Sequence, residues 1–183
     1  MKQGSEDNKA LENAVSRGTV LPRHLKCAEP IVMALIALPD TMPVRTEYFI
    51  GVDNKGKACT WDAKDVLFRT KMDVAAWSPA GGWIIDWKTG RTWEDPFELQ
   101  LQGLLCALHH PDVPSWMGQY YWFQDRRLGE KHDLSPNYAA RDLFKIYGEM
   151  LECERVSNWS KKKNKLCKWC DVANCEHYEG PKS

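Results

Sequence analysis

Hydrophobic and polar residues alternate along residues 66–90, which read VLFRTKMDVAAWSPAGGWIIDWKTG. β-Branched and aromatic residues flank a group of turn formers, and this pattern predicts two β-strands joined by a turn on Pro79 and Ala80. An antiparallel register around that turn places Asp73 opposite Asp86. The predicted hairpin is therefore the first candidate for a functional site.

The alternation of side chains gives the predicted hairpin one polar face and one apolar face. Asp73, Asp86 and Lys88 share the polar face. The apolar face suits a hydrophobic core and carries Phe68, Met72, Val74, Ile85 and Trp87. Two carboxylates that face each other across strands repel, so a positive group is expected between them. That group is either a divalent cation or the ammonium groups of Lys71 and Lys88 in a solvated ladder.

Periodicity elsewhere predicts helices and strands that would surround this hairpin. Helices are expected over residues 5–17, 22–38, 94–109 and 136–158. Strands are expected over residues 44–52, 57–61, 116–124 and 131–134. Pro30 would interrupt the second helix, and the Asp53–Gly56 segment would form a hairpin turn. The third helix has an expected apolar stripe of Phe97, Leu101, Leu104, Leu105 and Leu108. Gln100 lies at the edge of this stripe and is expected to point into a cleft.

Composition limits the class of protein. The 183 residues fit one domain, and 43% hydrophobic residues with nine Trp indicate a real core. Basic and acidic residues are equal at 25 each, so a nucleic-acid partner would have to be held by a local patch. Seven cysteines without an apolar signal segment disfavour a secreted disulfide scaffold and favour the cytoplasm. No run approaches the roughly 18 apolar residues of a membrane span.

The last part of the chain carries a second group of candidate ligands. Cys167 and Cys170 have the Cys-x2-Cys spacing, and Cys175 and His177 follow closely. Thiolates at this spacing can converge on one metal ion, so a Cys3His zinc site is predicted. Unrelated free thiols are the alternative.

Basic residues surround these cysteines. Six basic residues and no acidic ones lie from residue 155 to residue 170. The candidate DNA-binding residues are Lys161, Lys162, Lys163, Lys165 and Trp159. Basic side chains can follow phosphates while an indole stacks on bases. A solvated tail is the alternative interpretation.

The central motif resembles a known superfamily. A strand with a lone Asp, a turn, the segment Ile-Ile-Asp-Trp-Lys-Thr-Gly and a helix with Gln are similar to the PD-(D/E)xK nucleases. The similarity is greatest to the RecB-like branch, which includes phage recombination exonucleases and CRISPR-associated RecB-like nucleases. Asp73 matches the first Asp, residues 86–88 match (D/E)xK, and Gln100 matches the helical Gln. In the opening helix Glu12 matches an acidic position, whereas Asn8 stands where the family often has His.

The resemblance implies a fold and a domain organisation. The expected fold is α/β, restriction-endonuclease-like, with an αβββαβ core whose central mixed sheet is flanked by helices. Residues 1–160 would form the nuclease-like domain. Residues 161–183 would form a small Cys-rich metal-binding knuckle packed on the same domain. Some relatives hold a [4Fe-4S] cluster with three C-terminal Cys and one upstream Cys, which makes this cluster the alternative to zinc.

The resemblance also implies a function, a Mg2+- or Mn2+-dependent DNA nuclease of exonuclease type in recombination, repair or phage DNA processing. Asp73, Asp86, the Trp87 carbonyl and Glu12 would hold the metal, while Lys88 and Gln100 would act on water or phosphate. Expected partners are duplex ends or single-stranded DNA and a single-strand annealing recombinase, in the host cytoplasm if phage-encoded. The alternatives are a catalytically silent nuclease-fold module that binds DNA and a protein adaptor.

Overall fold

The structure, a computed structural model, describes residues 2–93 and 95–180, with side chains outside residues 2–3 and 137–139. The chain forms two compact units, residues 1–141 and residues 142–183. No described helix combines the length and the apolar character that crossing a membrane requires. The predicted domain boundary at residue 160 stays a prediction.

Helices and strands follow each other in the predicted order. The helices are α1 (Lys2–Arg17), α2 (Glu29–Ile36), α3 (Phe97–His109) and α4 (Pro136–Arg155). The strands are β1 (Val44–Asp53), β2 (Ala58–Cys59), β3 (Val66–Ser78), β4 (Gly81–Lys88), β5 (Trp116–Trp122), β6 (Arg127–Leu128) and β7 (His132–Asp133). A 3-10 helix over Arg23–Ala28 precedes α2, whose first turn contains Pro30. The interruption expected at Pro30 is thus confirmed. Glu94, the predicted first residue of α3, lies outside the described residues.

The strands form one mixed sheet in the order β2-β1-β3-β4-β5-β6, with β7 also paired to β5. All neighbours are antiparallel except β4 and β5, which are parallel. The helix α3 lies between β4 and β5 in the sequence, as a crossover connection between parallel strands requires. The prediction of an α/β fold with a central mixed sheet flanked by helices is confirmed.

The hairpin of β3 and β4 has the predicted register. Ser78 pairs with Gly81 and Val74 pairs with Ile85, so the turn lies on the two residues between Ser78 and Gly81. Gly81 has φ +151°, in the range that glycine tolerates and other residues rarely adopt. The hairpin between β1 and β2 is also confirmed. The Asp53 carboxylate accepts hydrogen bonds from the backbone N–H groups of Lys55 and Lys57 at 2.8 Å.

The predicted single apolar face of the β3–β4 hairpin is wrong, because both faces of the sheet are buried. One core includes Leu11, Leu25, Leu35, Val74, Ile85, Trp87 and Tyr121 from α1, the 3-10 helix, α2 and the sheet. The other includes Ile50, Met72, Ala75, Ile84, Leu99, Leu105, Trp116, Tyr120 and Trp122 from α3 and the sheet. Four of the five expected core residues are buried and Phe68 is half-buried, but Met72 belongs to the α3 side.

The separation of Met72 from Val74 has a local cause. These residues are two positions apart and would share a face of a regular strand, yet they lie in different cores. Their partners on β1 are Tyr48 and Thr46, so Glu47 lies opposite Asp73. Glu47 has φ +50°, which is uncommon for a residue other than glycine. The strand alternation is therefore broken where Asp73 lies.

The buried face of α3 also differs from the predicted stripe. Its buried residues are Leu99, Gln102, Gly103, Leu105 and Cys106. Leu108 is 39% exposed, so the predicted stripe is wrong at that position. A Cβ at Gly103 would lie 2.4 Å from the Cβ of Leu134, a separation that only glycine permits. The close approach at Gly103 turns this face of α3 towards the core.

Candidate active site

Asp73 and Asp86 meet where the ladder between β3 and β4 ends. The last paired residues are Val74 and Ile85, and the same register continued places Asp73 opposite Asp86. The Trp87 backbone N–H, one residue after Asp86, donates a 2.8 Å hydrogen bond to Asp73 Oδ2, and Asp73 is half-buried. Asp86 is only 5% exposed. The predicted juxtaposition of the two acids is confirmed.

Burial changes the ionisation of both acids. Burial raises the pKa of Asp73, against the hydrogen bond that it accepts from the Trp87 N–H. Burial and the neighbouring Asp73 together raise the pKa of Asp86 to about 8. A buried and a half-buried carboxyl that face each other are unfavourable when both are charged without a positive partner. The pair therefore holds either a shared proton or a cation.

Lys88 provides one positive charge beside the pair. Its Nζ lies 2.9 Å from Asp86 Oδ2 and 2.8 Å from Glu98 Oε2, and 5.2 Å from the centre of the Tyr120 ring. Burial alone would lower the pKa of Lys88, but the Asp86 charge and the Glu98 hydrogen bond outweigh burial and raise it. Lys88 is thus a fixed, protonated donor at the site.

Glu98 is the site residue that the sequence analysis missed. It lies in the first turn of α3, where an acidic residue is ordinarily explained by the helix dipole. Its side chain is 57% exposed, and no motif singles it out. The available signal was its position two residues before Gln100, on the same helix.

Gln100 lies near the start of α3, two residues after Glu98. It is half-buried, and its side-chain oxygen is buried without a hydrogen-bond partner among the described residues. It is Glu98 of α3 that contacts Lys88. An unpartnered buried amide oxygen costs free energy and could accept a hydrogen bond from a ligand or a water. A role for Gln100 in positioning water or phosphate stays a prediction.

Glu12 lies in a neighbouring cavity and does not contact the two aspartates. It forms a 2.6 Å ion pair with Lys9 and lines a cavity of about 520 Å³ that also includes Glu47 and Lys71. Glu47 and Lys71 form their own ion pair. In the alternative of a solvated ladder, Lys71 is expected to neutralise one of the two aspartates. Its ion pair is instead with Glu47.

Asn8 links α1 to the site. Its Nδ2 is 3.5 Å from Asp73 Oδ1, a long hydrogen bond. The position at which the resembling family often carries His thus faces the first aspartate. An amide at this position can donate to the carboxylate but cannot supply the proton exchange of an imidazole.

The carboxylate pair has the donor chemistry that Mg2+ or Mn2+ requires. No group of three His, Cys, Asp or Glu side chains in the described ranges is arranged to hold a metal ion. Mg2+ is commonly held by one or two carboxylates and keeps several waters, so Asp73 and Asp86 fit it without a third side chain. The Trp87 carbonyl stays a predicted additional ligand.

The four predicted tail ligands line one cavity. Cys167, Cys170, Cys175 and His177 border a cavity of about 470 Å³. The Asn164 backbone N–H donates to Cys167 Sγ at 3.3 Å, and no tail cysteine forms a disulfide. Among the described residues, no three of these side chains are arranged as a group that could hold a metal ion. The donor types suit zinc, and the zinc or [4Fe-4S] site stays a prediction.

The predicted DNA-binding residues of the tail are exposed and partly paired. Lys161 Nζ is 3.9 Å from a Glu176 oxygen, and Lys163 Nζ is 2.6 Å from a Glu179 oxygen. Trp159 is 56% exposed. Two of the four candidate lysines are therefore neutralised by acidic residues that follow the basic segment.

Comparison with known proteins gives only distant matches. No protein-family model matches the chain, and no curated protein matches it. A crystal structure of a protein named "Putative exonuclease" from Eubacterium rectale matches all of this chain and 70% of its own, with 17% identity and a TM-score of 0.45. A crystal structure of SSO0001 matches 97% of this chain and 98% of its own, with 14% identity and a TM-score of 0.37.

Proposed function

We propose that this protein is a metal-dependent deoxyribonuclease that hydrolyses phosphodiester bonds in DNA. One observation carries the proposal: the half-buried Asp73 lies opposite the buried Asp86, and the protonated Lys88 lies 2.9 Å from Asp86 Oδ2. Facing acids in a partly buried site are unfavourable for folding unless a cation or a proton lies between them, so their presence favours a ligand site over a structural role. The sequence resemblance to PD-(D/E)xK nucleases agrees with this chemistry.

Each residue has a distinct part in the proposed reaction. Asp73 and Asp86 would hold Mg2+ or Mn2+, and when bound this ion polarises the phosphoryl oxygen and lowers the pKa of the attacking water. Lys88 is held protonated by Asp86 and Glu98, so it would donate a hydrogen bond to a phosphoryl oxygen as negative charge develops. It would not remove a proton from water in this state.

A lysine variant tests this proposal. Lys88→Ala should lower metal-dependent degradation of end-labelled DNA by at least about 100-fold, because one fixed donor to the developing charge is lost. Duplex and single-stranded DNA are incubated with Mg2+, Mn2+ or EDTA, and products are resolved by electrophoresis. Lys26→Ala is the matched control, since Lys26 is an exposed lysine paired with Glu29. Equal degradation by the Lys88 and Lys26 variants would contradict the proposal.

The same experiment separates the second candidate function, a DNA-binding module without catalysis. Asn8 facing Asp73 favours this candidate, because the histidine of the resembling family is replaced by a group that does not titrate. Retention of DNA without products in every metal would support the module. Exonuclease action, a role in recombination, repair or phage DNA processing, a single-strand annealing partner and a cytoplasmic location belong to the same proposal.

A further inference from the structure

A second cavity adjoins the candidate active site on the side of α3. It has a volume of about 400 Å³ and shares Lys88 with the carboxylate pair. This volume lies within the roughly 300–1,000 Å³ usual for small-ligand sites. The cleft can therefore accept about one nucleotide next to Lys88.

The aromatic residues that line this cleft differ in their exposure to solvent. Tyr120 and Trp122 line it from β5 and are only 2% and 3% exposed. Trp93 lines the same cleft but is 74% exposed. The cleft thus combines a buried aromatic floor with an indole that is open to solvent.

The loop that carries Trp93 is fixed at its far end. The Tyr120 hydroxyl donates a 2.8 Å hydrogen bond to the Asp95 carbonyl, and the Phe97 N–H donates to the Asp95 carboxylate at 3.0 Å. These bonds join the loop to β5 and to the start of α3. Trp93 is joined to this anchored residue directly, because its carbonyl accepts a 2.9 Å hydrogen bond from the Asp95 N–H.

The charges of the cleft suit a phosphate beside an aromatic ring. Arg91 is exposed and lines the cleft together with Lys88. The acids in the lining already have partners, since Glu98 pairs with Lys88 and Asp95 accepts from the start of α3. Arg91 is therefore the cation available to a phosphate that reaches the cleft from the site.

We propose that this cleft binds an unpaired nucleotide of single-stranded DNA, with its base stacked on Trp93 and an adjoining phosphate on Arg91. The proposal rests on the proposed nuclease function, because the nucleotide in this cleft would belong to the strand whose phosphate lies at Lys88. A base inside a duplex is already stacked on its neighbours and cannot offer a face to an indole. The cleft thus selects for a strand that is single at this position.

Binding without catalysis tests the inference. Affinity for a labelled single-stranded oligonucleotide is measured by fluorescence anisotropy in EDTA. Trp93→Ala should weaken binding by roughly 5- to 150-fold, the range for loss of one base–aromatic stack. Trp93→Phe should restore most of the affinity, because it keeps a ring. Phe144→Ala, which removes another aromatic ring that is 68% exposed, is the matched control and should bind as the parent does.

An abasic scan identifies stacking itself. A single abasic position is moved along the oligonucleotide, and at one position it should weaken binding by the parent protein but not by Trp93→Ala. Equal abasic penalties in both proteins, unchanged affinity of Trp93→Ala, or no binding by the parent would overturn the inference. A parent that degrades DNA with Mg2+ but shows no such coupling retains the nuclease function and loses this site. A parent that shows the coupling but degrades no DNA has this nucleotide site and lacks the nuclease function.

Discussion

At the scale of single residues, the proximity of Asp73, Asp86 and Lys88 sets the chemistry of the site. Asp86 is buried and Asp73 lies half-buried opposite it, while Lys88 lies 2.9 Å from Asp86. The lysine stays charged because Asp86 and Glu98 both contact it. When both aspartates are ionised, one lysine leaves one of their two negative charges uncompensated. This imbalance should be measurable as a dependence of stability on pH.

Stability in EDTA should fall as pH rises from about 4 to about 8. The pKa of Asp86 is raised to about 8, so the folded protein keeps a proton that the unfolded chain releases above its ordinary pKa. Even one unit of this difference is worth about 1.4 kcal/mol, or roughly 3–5 °C in melting temperature for a chain of this length. Thermal melts of the parent and of Asp86→Asn over this pH range measure the effect, which the variant should lack.

The same melts contain a test of cation binding. Mg2+ at pH 8 should raise the melting temperature of the parent, since an ion that binds only the folded state stabilises it. Asp86→Asn should respond less. Asp112→Asn, at an exposed position, should behave as the parent. An identical pH slope in the parent and the Asp86 variant would show that Asp86 does not hold the extra proton.

At the scale of elements, the packing of α3 places the cleft, and one glycine permits that packing. A Cβ at Gly103 would lie 2.4 Å from Leu134, whereas a Cβ at Gly148 of α4 would meet nothing within 4 Å. Both glycines are inside helices. Alanine favours a helix over glycine by about 1 kcal/mol. Whether each Gly→Ala substitution raises or lowers the free energy of unfolding therefore depends on the space around the added Cβ.

The two helical glycines give opposite predictions. Gly103→Ala should lower the free energy of unfolding by about 1–3 kcal/mol, because overpacking outweighs the gain in helix propensity. Gly148→Ala should raise it by up to about 1 kcal/mol. Urea denaturation measures both through the midpoint at constant slope. A stabilised Gly103→Ala would mean that α3 does not approach Leu134 closely.

The sequence predicted those elements whose signals are local. The β3–β4 turn and its register follow from turn residues and alternation, and they place Asp73 and Asp86 correctly. The reversal between Met72 and Val74 does not follow, because it accompanies the positive φ of Glu47 on a neighbouring strand. A residue pattern within one strand carries no information about the backbone of its partner.

Long-range contacts explain the remaining differences. The buried face of α3 contains Gln102 and Gly103, which a hydrophobic pattern assigns to the outside. Their burial follows from the contact of Gly103 with Leu134, about thirty residues later in the chain. Glu98 was missed for the same reason, since its partner Lys88 belongs to a different element.

At the scale of the whole molecule, residues 1–141 contain both cores and the candidate active site. Residues 142–183 contain most of α4 and the cysteines of the tail. Small units with few buried apolar residues commonly depend on a metal ion for stability. The cavity shared by three cysteines and His177 makes this the expected means of stabilising the second unit.

Freshly purified protein should contain about one zinc ion, or an iron–sulfur cluster, per chain. Cys170→Ser should lower this content and increase hydrogen exchange within residues 142–183, because metal binding contributes folding free energy. Elemental analysis and exchange mass spectrometry provide the measurements. Ser160→Ala, at an exposed tail position without a thiol or imidazole, is the control and should keep the metal. Absence of both zinc and iron from the parent would remove the prediction.

One backbone amide lies where strand pairing gives way to the carboxylate pair. The Trp87 N–H donates its 2.8 Å hydrogen bond to the Asp73 side chain. Hydrogen bonds to a charged acceptor are shorter and stronger than those to a neutral one. The nitrogen-15 resonance of Trp87 should therefore follow the charge on Asp73. The position of this one NMR peak reports the binding of a proton or a metal ion to the two aspartates, in the absence of substrate and turnover.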